Sequence, residues 1–135
     1  MLREISLDSS IVNPYHSVHL AGDRFAVSHE GTAHRVCVVD ASGLVIRSHA
    51  RSRGPGIGQF NLPRYLARDT YDNIFVADLN NNRVSLLSPA LEHLGYVSIT
   101  GYELNEPWGL QLDHKTRRLY IAEWTDSGRV FILTV

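Results

Sequence analysis

The sequence predicts an all-β chain, a partial β-propeller of three four-stranded antiparallel blades. Three observations carry that reading. One segment of about 20 residues recurs three times, each copy consists of short apolar runs broken by turn residues, and no stretch sustains a 3.6-residue apolar period.

The copies align on a Pro near the start and an Arg near the end. The first reads Asn13-Pro14-Tyr15-His16-Ser17-Val18-His19-Leu20, then Arg24-Phe25-Ala26-Val27-Ser28-His29, then His34-Arg35-Val36-Cys37-Val38-Val39. The second reads Leu62-Pro63-Arg64-Tyr65-Leu66-Ala67-Arg68-Asp69, then Asn73-Ile74-Phe75-Val76-Ala77-Asp78, then Asn82-Arg83-Val84-Ser85-Leu86-Leu87. The third reads Glu106-Pro107-Trp108-Gly109-Leu110-Gln111-Leu112-Asp113, then Arg118-Leu119-Tyr120-Ile121-Ala122-Glu123, then Gly128-Arg129-Val130-Phe131-Ile132-Leu133. Pro to Arg spans 21, 20 and 22 residues, and successive Pro residues lie 49 and 44 apart. A fixed interior with variable connectors is what a repeated supersecondary unit leaves in a sequence.

Val, Ile, Phe and Tyr fill the runs, and Asp, Asn, Ser and Gly fill the gaps, which reads as strands and turns. In the first unit the expected strands are 16–20, 24–28, 35–39 and 43–48. In the second they are 65–69, 73–77, 83–87 and 93–99, and in the third 108–112, 118–122 and 129–134. A four-stranded antiparallel unit every ~45 residues is a propeller blade. The expected divisions are 11–50, 51–100 and 101–135 for the blades, the third lacking its last strand, with 1–10 as the outer strand of a preceding or last blade.

Composition bounds the function classes. The 135 residues are 44% hydrophobic and 20% charged, enough for one packed domain. No apolar run approaches the ~20 residues of a membrane span. The opening Met1-Leu2-Arg3-Glu4-Ile5-Ser6-Leu7-Asp8 lacks the apolar block of a secretory signal, so a cytoplasmic location without membrane contact is expected. The single cysteine, Cys37, excludes an internal disulfide and a Cys-based zinc knuckle. A net charge of −1 argues against DNA as a partner of the whole chain.

The second copy carries the most specific pattern: Gly58-Gln59-Phe60-Asn61-Leu62-Pro63, then Asp69, then Asn73 to Asp78, then Asn81-Asn82-Arg83-Val84. These residues resemble the NHL repeat, a blade type of six-bladed propellers. In the other copies Ser28-His29 and Ala122-Glu123 replace the Ala-Asp step. The resemblance implies two kinds of relative. One is the tripartite-motif NHL proteins, whose propeller recognises protein or RNA. The other is the peptidyl amidating lyase and lactonase-like enzymes. The sequence holds no RING, B-box or coiled coil to supply ligase activity. A six-bladed ring needs ~270 residues, so self-association or missing blades would have to close it. Residues 2–7 are strand-like, and would complete either a preceding blade or the third blade of a second copy in a head-to-tail dimer.

In a propeller the first strand of each blade lines the channel and starts beside the loop between the second and third strands. That brings Tyr15, His16, Arg64, Tyr65 and Trp108 close to His29, Glu30, Asp78, Leu79, Glu123 and Trp124, the face expected to bind. Arg35, Arg83 and Arg129 recur at one blade position, so a structural role is expected, with Asp78–Arg83 and Glu123–Arg129 as pairs.

Seven histidines invite a metal reading. His16 and His19 point to opposite faces of a strand. His16 and His29 map to one face and are the weak metal candidates. The resemblance adds that the amidating lyase holds zinc through propeller histidines, and Pro14-Tyr15-His16-Ser17-Val18 loosely matches one such position. Tyr65 and Gly109 occupy the equivalent sites, and zinc needs three or four protein ligands, so neither metal nor cofactor is expected. No nucleophile elbow, zinc-protease motif or phosphate loop occurs, and no catalytic residue is assigned.

Between Asp40 and Asp69 there is no acid, while Arg47, Arg51, Arg53, Arg64, Arg68 and His49 all fall there. Arg51, Arg53 and Arg64 beside Tyr65 fit single-stranded RNA or an acidic peptide. A solvated loop is the competing reading, because the charges are sparse. The functional expectation is a non-catalytic recognition module for a protein partner, using Arg51, Arg53, Arg64, Tyr65, Trp108 and Trp124. RNA binding is the alternative within that class, and part of a metal-dependent lyase- or lactonase-like enzyme is the alternative outside it.

Overall fold

A computed structural model describes residues 1–31, 33–49 and 52–135. The first sheet is β1 (Pro14–Leu20), β2 (Arg24–His29), β3 (Arg35–Val39) and β4 (Val45–Ser48). The second is β5 (Pro63–Arg68), β6 (Ile74–Asp78), β7 (Arg83–Leu87) and β8 (His93–Tyr96), with a 3-10 turn at Leu79–Asn81. The third is β9 (Pro107–Asp113), β10 (Arg118–Glu123) and β11 (Val130–Thr134). Each is an antiparallel meander with strands paired in chain order. This is a partial propeller of two four-stranded blades and one three-stranded blade.

Each blade starts at its Pro, one or two residues earlier than the alternation alone suggests. Pro is tolerated as a first strand residue because the N–H it lacks is not yet needed by the ladder. The fourth strands are shorter than expected, 45–48 and 93–96. Gly43 sits at φ +89° in a turn closed on the Asp40 carboxylate, which holds the chain out of the ladder until Val45.

Residues 2–7 form no strand within this chain. In this chain they lie as an arm along the first blade. The Arg3 guanidinium bonds Asp23 at 3.0 Å and the Ala41 carbonyl at 3.1 Å, and the Asp8 N–H reaches the Gly43 carbonyl. A lone strand needs a ladder partner for its backbone groups, and side-chain contacts hold this segment in its place.

Alternation splits each blade between two layers. Ala26, Val36 and Val38 of the first blade meet Leu66, Ile74, Val76 and Leu87 of the second. Phe75, Ala77 and Val84 on the other side of the second blade meet Leu110, Leu119 and Ile121 of the third. Val27, Cys37 and Val39 form a third cluster on the outer side of the first blade, and burial pushes the Cys37 thiol up to about 12. On the outer side of the third blade Val130 and Ile132 are exposed.

The repeat extends to backbone handedness. Asn13, Leu62 and Glu106, each just before its Pro, have φ of +49°, +57° and +46°. Asp23, Asp72 and Arg117, each before a second strand, have +54°, +62° and +54°. His34, Asn82 and Gly128, each before the recurring Arg, have +46°, +53° and +52°. Five of the nine are Asn, Asp or His, which tolerate this region, whereas Leu62, Glu106 and Arg117 are held there by the blade geometry.

Candidate functional site

The residue after each Pro is the second of its blade's first strand, and the three blades place Tyr15, Arg64 and Trp108 there. They form one stacked row. The Arg64 guanidinium carbon lies 3.5 Å from the Tyr15 ring centroid and 4.9 Å from that of Trp108. The next residues extend the cluster. His16 stacks on Tyr65 at 4.4 Å, Tyr65 lies 6.4 Å from Trp108, and Trp108 meets Trp124 edge-on at 4.2 Å. The cation–π contacts fix the plane of the guanidinium between two rings.

The backbone beneath is held across blades. Ser28 Oγ donates to the Arg64 carbonyl at 2.6 Å, joining β2 to the start of β5. The Leu66 N–H donates to His16 Nδ1 at 3.1 Å, joining β5 to β1. His16 must therefore be neutral with its proton on Nε2, and burial lowers its pKa. The Tyr15 hydroxyl donates to Glu30 at 2.6 Å.

Arg64 is the unusual member. It is 9% exposed, and its Nε and Nη1 are buried with no hydrogen-bond partner. Burial lowers its pKa. Around it the surface is apolar and open: Tyr15 is 40% exposed, Tyr65 38% and Trp124 59%. Tyr15 and His16 also line an open cleft of about 800 Å³ with Ile5, Leu7, Phe25 and Val27.

The expected face thus brings Arg64, Tyr65, Trp108 and Trp124 together with Tyr15 and His16. Arg53 is exposed and lies close enough to His34 to help lower the pKa of that imidazole. Arg51 lies outside the described residues. The two histidines weighed for metal have separate surroundings: His16 is bonded to the second blade, whereas His29 pairs across the ladder with Arg35. Among the described residues no group of three His, Cys, Asp or Glu could hold a metal ion.

The recurring Arg does different work in each blade. Arg83 Nε bonds Asp78 at 2.8 Å. Its Nη atoms bond the carbonyls of Pro55, Gly56 and Gln59 and the Tyr96 hydroxyl. That guanidinium ties down the connector between blades, together with the Asn81 amide, which donates to the Gly54 carbonyl at 2.9 Å. Arg129 Nε lies 3.2 Å from Glu123. Arg35 has no acid opposite it. Sequence reasoning missed the stacking of Tyr15 on Arg64. The signal was present, since position after Pro is equivalent in all three copies.

No family model matches the sequence, and no curated protein matches it. Solved structures do. The chain is similar to the hydrazine synthase of Kuenenia stuttgartiensis, with a TM-score of 0.70 at 14% identity, covering 100% of this chain and 36% of that one. It is similar to virginiamycin B lyase from Staphylococcus aureus, with a TM-score of 0.60 at 10% identity, covering 98% and 45%. It is also similar to a protein of unknown function from Bacteroides caccae, with a TM-score of 0.51 at 12% identity, covering 97% and 49%. The chain therefore spans between about a third and a half of these structures. Identities this low show the fold alone, a β-propeller, and do not separate NHL blades from other blade types. No helix among the described residues is long and apolar enough to cross a membrane.

Proposed function

We propose that this chain is a non-catalytic recognition module that binds a polypeptide partner across the loop face of its blades, and that the blades are of NHL type. The observation that carries the binding reading is the Tyr15–Arg64–Trp108 row, flanked by the exposed rings of Tyr65 and Trp124. Trp, Tyr and Arg are the residues that dominate protein–protein hot spots, and they do so when grouped on a rigid support. Here the first strands of three successive blades, β1, β5 and β9, supply that support. The stacked guanidinium keeps the rings in fixed planes before a partner arrives, which lowers the ordering cost of association.

RNA is the second reading, because exposed Tyr65 and Trp124 offer stacking faces. The cations favour it less. Arg64 is enclosed between rings and 9% exposed, so its guanidinium offers little surface to a phosphate. A lyase-like reading would rest on His16 and His29, which have no third ligand beside them among the described residues.

Selection from a peptide-display library, followed by calorimetry, tests the proposal. Selected peptides should lose about tenfold or more in affinity on Trp124→Ala or Tyr65→Ala. Peptides that bind both variants as tightly as the parent would reject this face. Tight binding of single-stranded RNA with a steep salt dependence, lost on Tyr65→Ala, would put RNA in place of the polypeptide.

A further inference from the structure

In the second blade the end of the second strand carries Asp78, and in the third Glu123. Each carboxylate accepts the N–H of the residue two before the Pro, from Asn61 at 2.7 Å and Asn105 at 2.7 Å, and each lies against the recurring Arg. The first blade breaks this arrangement. His29 stands at the acid position, paired with Arg35 in the ladder. His29 is 5% exposed and its Nδ1 has no hydrogen-bond partner, and Arg35 Nε is buried without one.

Neighbouring acids do not fill the gap. Glu30 takes the Tyr15 hydroxyl and the Asn13 amide, and Asp8 takes Ser10. Gly31 leaves the position without a side-chain wall. A Cβ there would lie 3.8 Å from His29 Nδ1 and 3.9 Å from Val12 Cβ, and Val12 is the residue two before Pro14. Two groups that surround the carboxylate in the other blades, the Arg and the residue two before the Pro, are thus present here, with an imidazole at the acid position and no carboxylate. An unpartnered buried guanidinium nitrogen beside an unpartnered imidazole nitrogen is a costly arrangement that an anion would relieve.

We propose that His29 and Arg35 form a binding site for a carboxylate or similar small oxyanion, which supplies from outside the charge that Asp78 and Glu123 supply from within. Two sources share this chemistry, a free anion and the acidic side chain of a bound peptide. Melting curves of the full chain in sodium acetate, sodium phosphate and sodium chloride at equal ionic strength test it, with a glutamate-containing hexapeptide and its glutamine counterpart as a second pair. Acetate or phosphate at tenfold over its dissociation constant should raise Tm by roughly 4–8 °C above chloride. A free-anion site responds to acetate or phosphate alone, whereas a side-chain site responds to the glutamate peptide at least tenfold more tightly than to acetate.

The variant His29→Asp separates this from general salt stabilisation, which acts without a site. It restores the acid of the other blades, so it should fold, melt higher than the parent in chloride, and lose the anion response. The His29 ring nitrogen resonances of the parent should also shift during the acetate titration. Equal Tm in all three salts with no such shift would overturn the proposal, and so would an undiminished anion response in His29→Asp. Failure here would leave the loop-face reading standing, because Trp124 and Tyr65 play no part in this site.

Discussion

Arg83 Nε lies 2.8 Å from Oδ2 of Asp78, an acid with no exposed surface. Burial pushes the Asp78 carboxyl above its ordinary pKa, while Asn61, Asn81 and Arg83 pull the other way. The pair is more than an ion pair, since the same guanidinium bonds three carbonyls of the connector. Arg83→Ala should cost about 3–5 kcal/mol, because it strands a buried charge. Arg83→Lys should recover little of it, since an ammonium cannot reproduce the fork. Urea denaturation measures both, and a loss below 1 kcal/mol in Arg83→Ala would refute the role.

At the other end of the blades Asp72 is the equivalent fastening. It accepts the Ala21 N–H at 2.9 Å from the first blade and pairs with Arg68 at 3.1 Å and Arg24 at 3.7 Å. Asp72→Ala should destabilise by about 1–3 kcal/mol. Hydrogen exchange should show faster opening at Ala21 than in the parent, which a loss confined to the second blade would not produce.

Arg117 carries left-handed strain, φ +54°, at an exposed turn. Glycine removes the Cβ penalty there but has more freedom to lose on folding, and the left-handed penalty is the larger of the two. Arg117→Gly should therefore stabilise by up to about 1 kcal/mol. A lower melting temperature in that variant would show that the Arg117 side chain contributes packing that outweighs the strain.

Acid should weaken the fold well above the carboxylate range. His16 and His34 each accept a backbone N–H at Nδ1, from Leu66 and Leu62. Burial lowers the pKa of both below 6.5. The unfolded chain then binds more protons than the folded one below that value. Stability is complete above pH 6.5 and is lost as pH falls through the lowered folded values. Urea midpoints between pH 7.5 and 5 should fall with acid, and His16→Gln should flatten the slope. A midpoint constant over that range would contradict the two histidine bonds.

Much of the molecule was legible in the residues themselves. The spacing of Pro14, Pro63 and Pro107 from Arg35, Arg83 and Arg129 determined the three blades, because a repeated unit must keep its strand lengths and turns. Apolar alternation determined which residues, such as Ile74, Val76, Leu119 and Ile121, enter the layers between blades. The acids facing Arg83 and Arg129 were also readable, since a second strand's end and a third strand's start are neighbours in any hairpin. Tertiary structure decided what depends on contacts between blades. It enclosed Arg64 between Tyr15 and Trp108, residues 49 and 44 positions away, and so turned a cation expected to be open to phosphate into a buried one. It bonded His16 to Leu66, it left His29 and Arg35 facing each other without an acid, and it laid residues 2–7 along the first blade. It also set the left-handed turns at Leu62, Glu106 and Arg117, which no turn residue announces. Local pattern specifies a blade because its strands are adjacent in the chain. The site lies between blades, and its geometry follows only from how they stack.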